Sequence, residues 1–188
     1  NHLHIPKYIF KLGREPLLST AEIYAVLSRL GAKFASSQAG KQWLILETEQ
    51  LTDAESLMQR LGGTIKIGEK ITSNIATHLE NCQPSGKIIF ALNDRKLAVK
   101  IKKEFKARGR GVRYVEIKNT TTIIHNKLVE LRGDITVLGN VVFVTRAIQP
   151  IEEFSARDYG RPNADAKSGM LPPKLARIMI NLAQAPKD

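Results

Sequence analysis

Residues 19–31 read STAEIYAVLSRLG, and a shorter version returns at 52–63, TDAESLMQRLGG. In each, a hydroxyl residue stands three places before a glutamate, the pattern of a capping box at a helix start. Ile23, Val26, Leu27 and Leu30 then mark one helical stripe, and Ala54, Leu57, Met58 and Leu61 mark another. Glycines follow both, at Gly31 and at Gly62–Gly63, where a helix commonly stops. Two helices of about three turns are therefore expected in the first third of the chain.

Working outward, short runs rich in branched and aromatic residues flank the helices: YIFKL (8–12), AKFAS (32–36), QWLILE (42–47) and TIKIG (64–68). The order β-α-β-β-α-β predicts a split βαβ, ferredoxin-like unit over residues 1–72. A second α/β unit is expected over 73–149. SNIATHLENC (73–82) reads as a helix, KIIFAL (87–92) as a buried strand, and Asn93 or Asp94 as the cap of a helix running to about Lys106. VRYVEI (112–117) reads as a strand, TTTIIHNKLVELRG (120–133) as a helix, and ITVLGNVVFVTRAI (135–148) as a hairpin turning at Gly139–Asn140. The fold class is α+β. Residues 150–188 are expected to be an irregular connection ending in an amphipathic helix. Pro172 and Pro173 open that helix, Leu175, Ile178, Met179 and Leu182 form its apolar face, and Lys174, Arg177, Asn181 and Gln184 turn away.

Charge narrows the function. The 188 residues carry a formal charge of +11, an excess that favours polyanionic partners, nucleic acid above all. Most of it lies in RKLAVKIKKEFKARGRGVRYVEIK (95–118), with ten basic residues against two acidic ones. At 100° per residue, Leu97, Ala98, Ile101 and Phe105 share one arc of a helix, and Lys96, Lys100, Lys102, Lys103 and Lys106 the opposite one. A solubilising face mixes signs. This one is nearly all positive and runs into a turn carrying Arg108 and Arg110. The candidate phosphate contacts are Lys96, Lys100, Lys103, Lys106, Arg108, Arg110, Arg113 and Lys118. Only Phe105 and Tyr114 could stack on bases within this region, so backbone and shape recognition is expected rather than base stacking.

Catalysis finds no support. There is no GxxxxGK and no GxGxxG between a strand and a helix, and the four histidines lack metal-ligand spacing. Cys82, the single cysteine, excludes an internal disulfide and fits a reducing compartment. LPPK (171–174) lacks the polar first residue and aromatic fourth residue of a methyltransferase tetrad and reads as a helix start. No run is long enough to span a membrane and no signal peptide is visible, so a cytoplasmic protein with no membrane partner is expected.

FVTRAIQPIEEFSARDYGRPNADAKSGMLPPKLARIMINLA (143–183) resembles the segment preceding the catalytic domain in THUMP-containing tRNA guanine-N2 methyltransferases of the position-10 type. The family's linker motif is matched by Arg157, Asp158, Tyr159, Gly160, Arg161 and Pro162. KIKKEFKARGRGVRYVEIKN is similar to the family's basic helix and following strand. The resemblance implies a ferredoxin-like domain followed by a THUMP domain that holds the acceptor end of tRNA. It also implies an S-adenosylmethionine-dependent catalytic domain C-terminal to residue 188. The cofactor strand and the Asp/Asn-Pro-Pro-Tyr tetrad are not in these 188 residues, so no cofactor, metal or catalytic residue is assigned to them. Two other readings stand beside this one: a free-standing RNA-binding or ribosome-associated adaptor, and the front half of a DNA amino-methyltransferase.

Overall fold

The computed structural model describes residues 5–49, 51, 53–151 and 171–184. The first unit is β1 (Lys7–Leu12), α1 (Pro16–Arg29), β2 (Ala35–Ala39), β3 (Trp43–Glu47), α2 (Ala54–Arg60) and β4 (Thr64–Lys70). Its strands lie in the order β2-β3-β1-β4, every pair antiparallel, which is the split βαβ arrangement. Alternation along the strands turns Tyr8, Phe10, Leu12, Leu44, Leu46 and Ile67 to one side, where they pack with Ile23, Val26 and Leu27 of α1 and Leu57 and Met58 of α2. Lys11, Trp43 and Lys66 sit between these positions and point to the opposite face.

The second unit is α3 (Ile75–Cys82), β5 (Ile88–Leu92), α4 (Arg95–Ala107), β6 (Val112–Tyr114), α5 (Thr120–His125), β7 (Asp134–Leu138) and β8 (Val141–Ile148). β5 runs parallel to both β6 and β7, and β8 returns antiparallel to β7 through the turn at Gly139, whose φ is 61°. Ile88, Phe90 and Leu92 pack under α3 and α4, while Ala91 faces Ile123 and Leu128 on the other side. β8 also pairs with β4, so the strands on either side of residue 72 form one eight-stranded α+β sheet, β2-β3-β1-β4-β8-β7-β5-β6. A buried ion pair crosses that seam. Lys66 Nζ on β4 donates to Asp134 Oδ2 on β7 at 2.9 Å, and Thr145 Oγ1 on the intervening β8 donates to the same oxygen at 2.6 Å.

Several expectations are corrected. Ser19 and Glu22 do not form a capping box, because α1 starts a turn earlier, at Pro16. Proline suits a first helical position. Ser19 Oγ then donates to the carbonyl of Glu15 at 2.7 Å, inside the helix. The second helix is capped by Asp53, which accepts from Glu55 N–H at 3.1 Å; Thr52 lies outside the described residues. The strand expected at 32–36 begins at Ala35, since Ala32 N–H still bonds back to Leu27 at 3.0 Å. The strand expected at 112–117 ends at Tyr114. The helix expected over 120–133 stops at His125. Lys127 and Arg132 take positive φ, 51° and 54°, which turns Leu128 into the core beside Ala91 and Val115.

His78 on α3 is tied to that irregular segment. Its Nε2 donates to the carbonyl of Arg132 at 2.9 Å, and burial pushes its pKa below the ordinary 6.5, with the Arg132 bond opposing the shift. A depressed folded value means that the unfolded chain takes the proton first as pH falls. The stability His78 contributes is therefore full above about pH 6.5 and declines as pH drops through its folded value. Thermal unfolding across a pH series will show this decline in the wild type and a flatter profile in His78→Gln. Parallel profiles would refute it.

The last described element, α6 (Pro173–Ala183), lies alongside α1. The face that docks is not the purely apolar one expected. Ile178 is buried and Leu175 and Leu182 are half-buried, but Met179 and Ile180 are exposed. Asn181, expected to turn away, is 5% exposed, and its amide donates to Glu22 Oε2 at 2.8 Å and to the carbonyl of Arg60 at 2.7 Å. Arg177 and Gln184 reach the first unit from the rim of that face: Arg177 donates to Gln59 O at 2.6 Å, and the exposed Gln184 accepts from the Arg29 guanidinium at 2.9 Å. Glu22 itself is fully buried and accepts from the N–H groups of Gly62 (3.1 and 3.0 Å) and Gly63 (2.9 Å). The polar stripe of α6 can dock because the turn before β4 and the middle of α1 offer it a full set of partners.

Candidate nucleic-acid interface

Helix α4 presents the basic surface. Asp94 caps it, accepting from Leu97 N–H at 3.1 Å, which fixes the start and hence the phase of the lysines. Ala98, Ile101 and Phe105 are buried against β5 and β6. Lys96, Lys100 and Lys103 are all exposed and fall within an arc of about 60° on the outer side. Lys106 is exposed beside them, and Val99, 44% exposed, lies between the directions of Lys103 and Lys106. Among the described residues no carboxylate forms an ion pair with these four lysines. Their like-charge repulsion is left for an external anion to relieve.

The other basic candidates are distributed differently. Arg108 is paired with Glu80 and Glu104, joining the end of α4 to α3. Arg110 donates to the carbonyls of Gly86 (2.9 Å) and Gln83, holding the turn between α4 and β6. Both arginines are thus part of the scaffold as well as of the charge. Arg113 is exposed on β6, the edge strand; its neighbours Val112 and Tyr114 pack on the α4 side, so it points to the opposite face. Lys118 is exposed in the connection to α5. The coherent patch is therefore Lys96, Lys100, Lys103 and Lys106, and Arg113 and Lys118 lie beyond it at the same edge of the sheet. The linker residues Arg157, Asp158, Tyr159, Arg161 and Pro162 fall outside the described residues.

Strand pairing also brings together residues that the linear sequence separates. Lys11 and Lys66 place their ammonium groups 5.9 and 5.7 Å from the ring centroid of Trp43, on the sheet face away from α1 and α2. Cys82 Sγ lies 3.8 Å from both ring nitrogens of His78, an i,i+4 pair visible in the spacing alone. Among the described residues there is no cluster of three or more metal-ligating side chains, and no helix is long and apolar enough to cross a membrane.

No family model matches the chain, and no curated protein matches it. Among solved structures it is similar to PH1313 from Pyrococcus horikoshii Ot3, with 11% identity and a TM-score of 0.47, over 77% of this chain and 55% of that one. It is also similar to a 4-thiouridine synthetase in an RNA complex with bound ATP, with 11% identity and a TM-score of 0.39, over 76% of this chain and 41% of that one. The match thus spans about half the length of these solved chains.

Proposed function

We propose that this chain is the ferredoxin-like and THUMP region of a tRNA guanine-N2 methyltransferase, and that it holds tRNA by its acceptor end for a catalytic domain C-terminal to it. The observation that carries RNA binding is the α4 face, where Lys96, Lys100, Lys103 and Lys106 project from a helix whose one carboxylate, Glu104, is paired with Arg108. The choice of tRNA and of methyl transfer rests on the resemblance of residues 143–183. S-adenosylmethionine belongs to the absent domain in this reading. The described residues do not fit it, since the strand-to-helix turn β5–α4 is Asn93–Asp94, whose side chains are engaged with Val137 and with Leu97 N–H. No chemical step is assigned to them.

A free-standing adaptor is the second reading. It would bury Leu175, Ile178, Met179 and Leu182 against its own domains; Ile178 is buried and Leu175 and Leu182 are half-buried on the first unit, as that reading requires, and Met179, 53% exposed, is the member of the face left for a further neighbour.

Binding measured by anisotropy tests the proposal. Affinity for tRNA is expected to fall steeply with salt, and the slope of log K against log salt to lessen by about 1 for each of Lys96, Lys100 and Lys103 changed to alanine. Affinity flat in salt would remove the phosphate interface. Equal affinity for random duplex of the same charge would remove the acceptor-end assignment. Preference for duplex DNA would transfer the reading to a DNA enzyme.

A further inference from the structure

The parallel part of the sheet has a crevice at its open end. After β5 the chain turns at Asn93–Asp94 into α4 on one face, and after β6 it leaves through 115–119 to α5 on the other. Diverging connections at the carboxyl ends of neighbouring parallel strands leave a gap between them, the place where open α/β sheets take their ligands. Here the gap encloses about 320 Å³. It is walled by Arg95, Tyr114 and Glu116 from the second unit and by Lys11, Trp43 and Lys66 from the first.

The chemistry of these six groups is specific. Lys66 is neutralised by Asp134 and serves as floor. Tyr114 has its hydroxyl committed to the carbonyl of Leu92 at 3.0 Å and offers ring surface rather than a donor. That leaves Lys11 and Arg95 as cations, Glu116 as an acceptor and the half-buried Trp43 ring as an apolar wall. Lys11 is partly desolvated and lies near Lys66, both of which lower its pKa, burial more than Lys66. An arriving anion would relieve that strain on its charge. One excess positive charge beside a large ring does not suit a bare polyphosphate. It suits a planar base carrying a single phosphate, with Glu116 available to an exocyclic amino group. Arg95 opens α4, so the crevice lies at the N-terminal end of the helix that carries the lysines.

We propose that the crevice takes one unpaired nucleotide of the RNA held by α4, its base stacked on Trp43 and its phosphate between Lys11 and Arg95. The proposal rests on the RNA-binding reading above and adds base contact to what is otherwise a backbone interface.

Trp43 is the only tryptophan of the chain, so its fluorescence reports on this crevice alone. The full chain is titrated with a short single-stranded RNA and, separately, with inorganic polyphosphate. RNA is expected to quench the emission, and polyphosphate to bind in a salt-dependent manner with the emission unchanged. Trp43→Leu is expected to weaken RNA binding about tenfold, Trp43→Phe to retain most of it, and both to leave polyphosphate binding unaltered. RNA binding with unchanged emission, or with Trp43→Leu as tight as wild type, overturns the crevice proposal and leaves the α4 interface standing. Binding of neither polyanion overturns the RNA reading beneath it.

Discussion

Asp134→Ala will lower the unfolding free energy by about 3–5 kcal/mol, measured by urea denaturation. The change leaves Lys66 buried, with only 9% of its side chain exposed, and without the carboxylate 2.9 Å away that neutralises it. Thr145 loses its acceptor in the same step. The loss is large because an ammonium taken out of water needs either its partner or its proton released, and both carry a penalty. The pair itself is not expected to add much net stability, since desolvating both charges opposes their attraction. Lys66→Met combined with Asp134→Leu should therefore recover most of the stability lost by Asp134→Ala. A loss below 1 kcal/mol in the single variant, or no recovery in the double one, would refute this account. Because the pair joins β4 to β7 across β8, the single variant should also uncouple the two halves of the sheet. Amide exchange should then rise along the β4–β8 pairing before it rises in β1 and β3.

Periodicity made the elements legible, and pairing decided what it could not show. The stripe on α4 was readable because burial of Ala98, Ile101 and Phe105 follows from 3.6 residues per turn. The β-α-β-β-α-β order was readable because every element of the first unit but β2 has its own local pattern; β2 is ASSQA, and only its first two residues fall in the run that marked it. The end of α5 was not. Ile123, Ile124, Leu128 and Leu131 keep a helical spacing, and nothing local to Lys127 announces a positive φ. What bends the chain there is the space beside Ala91, filled by Leu128 from a turn instead of from a helix. Arg108 and Arg110 were visible as charges, and Glu104 stands at a readable spacing four residues before Arg108, but their other partners, Glu80 and the carbonyls of Gln83 and Gly86, lie 24 to 28 residues away. Trp43, Lys11 and Lys66 belong to three strands, and only the register Lys11↔Trp43 and Lys11↔Lys66 sets them side by side.

Glu22 shows the same limit most sharply and leads to the second large effect. Its position three residues after Ser19 satisfies a local capping rule, yet its donors are 40, 41 and 159 residues away. Glu22→Ala strands the N–H groups of Gly62 and Gly63 and the amide of Asn181 in a fully buried place, at about 1–3 kcal/mol for each unsatisfied group. Some of these will recover partners by relaxation, so a net loss of about 3 kcal/mol is expected. Glu22→Gln should be nearly as harmful, because its –NH₂ would face donors rather than acceptors. Gly62→Ala probes the other side of the contact. A Cβ there would strike the Lys174 carbonyl and the Arg177 side chain, so α6 must move away while Glu22 keeps its hydrogen bonds to the turn. Hydrogen exchange should accordingly rise in α6 alone for Gly62→Ala, and in α6, the 61–64 turn and α1 together for Glu22→Ala. If α6 stays equally protected in both variants, the polar contact does not hold it. If both lose protection as expected, Glu22 fixes the direction in which the chain leaves α6 and so sets where anything C-terminal to it would stand relative to the α4 lysines.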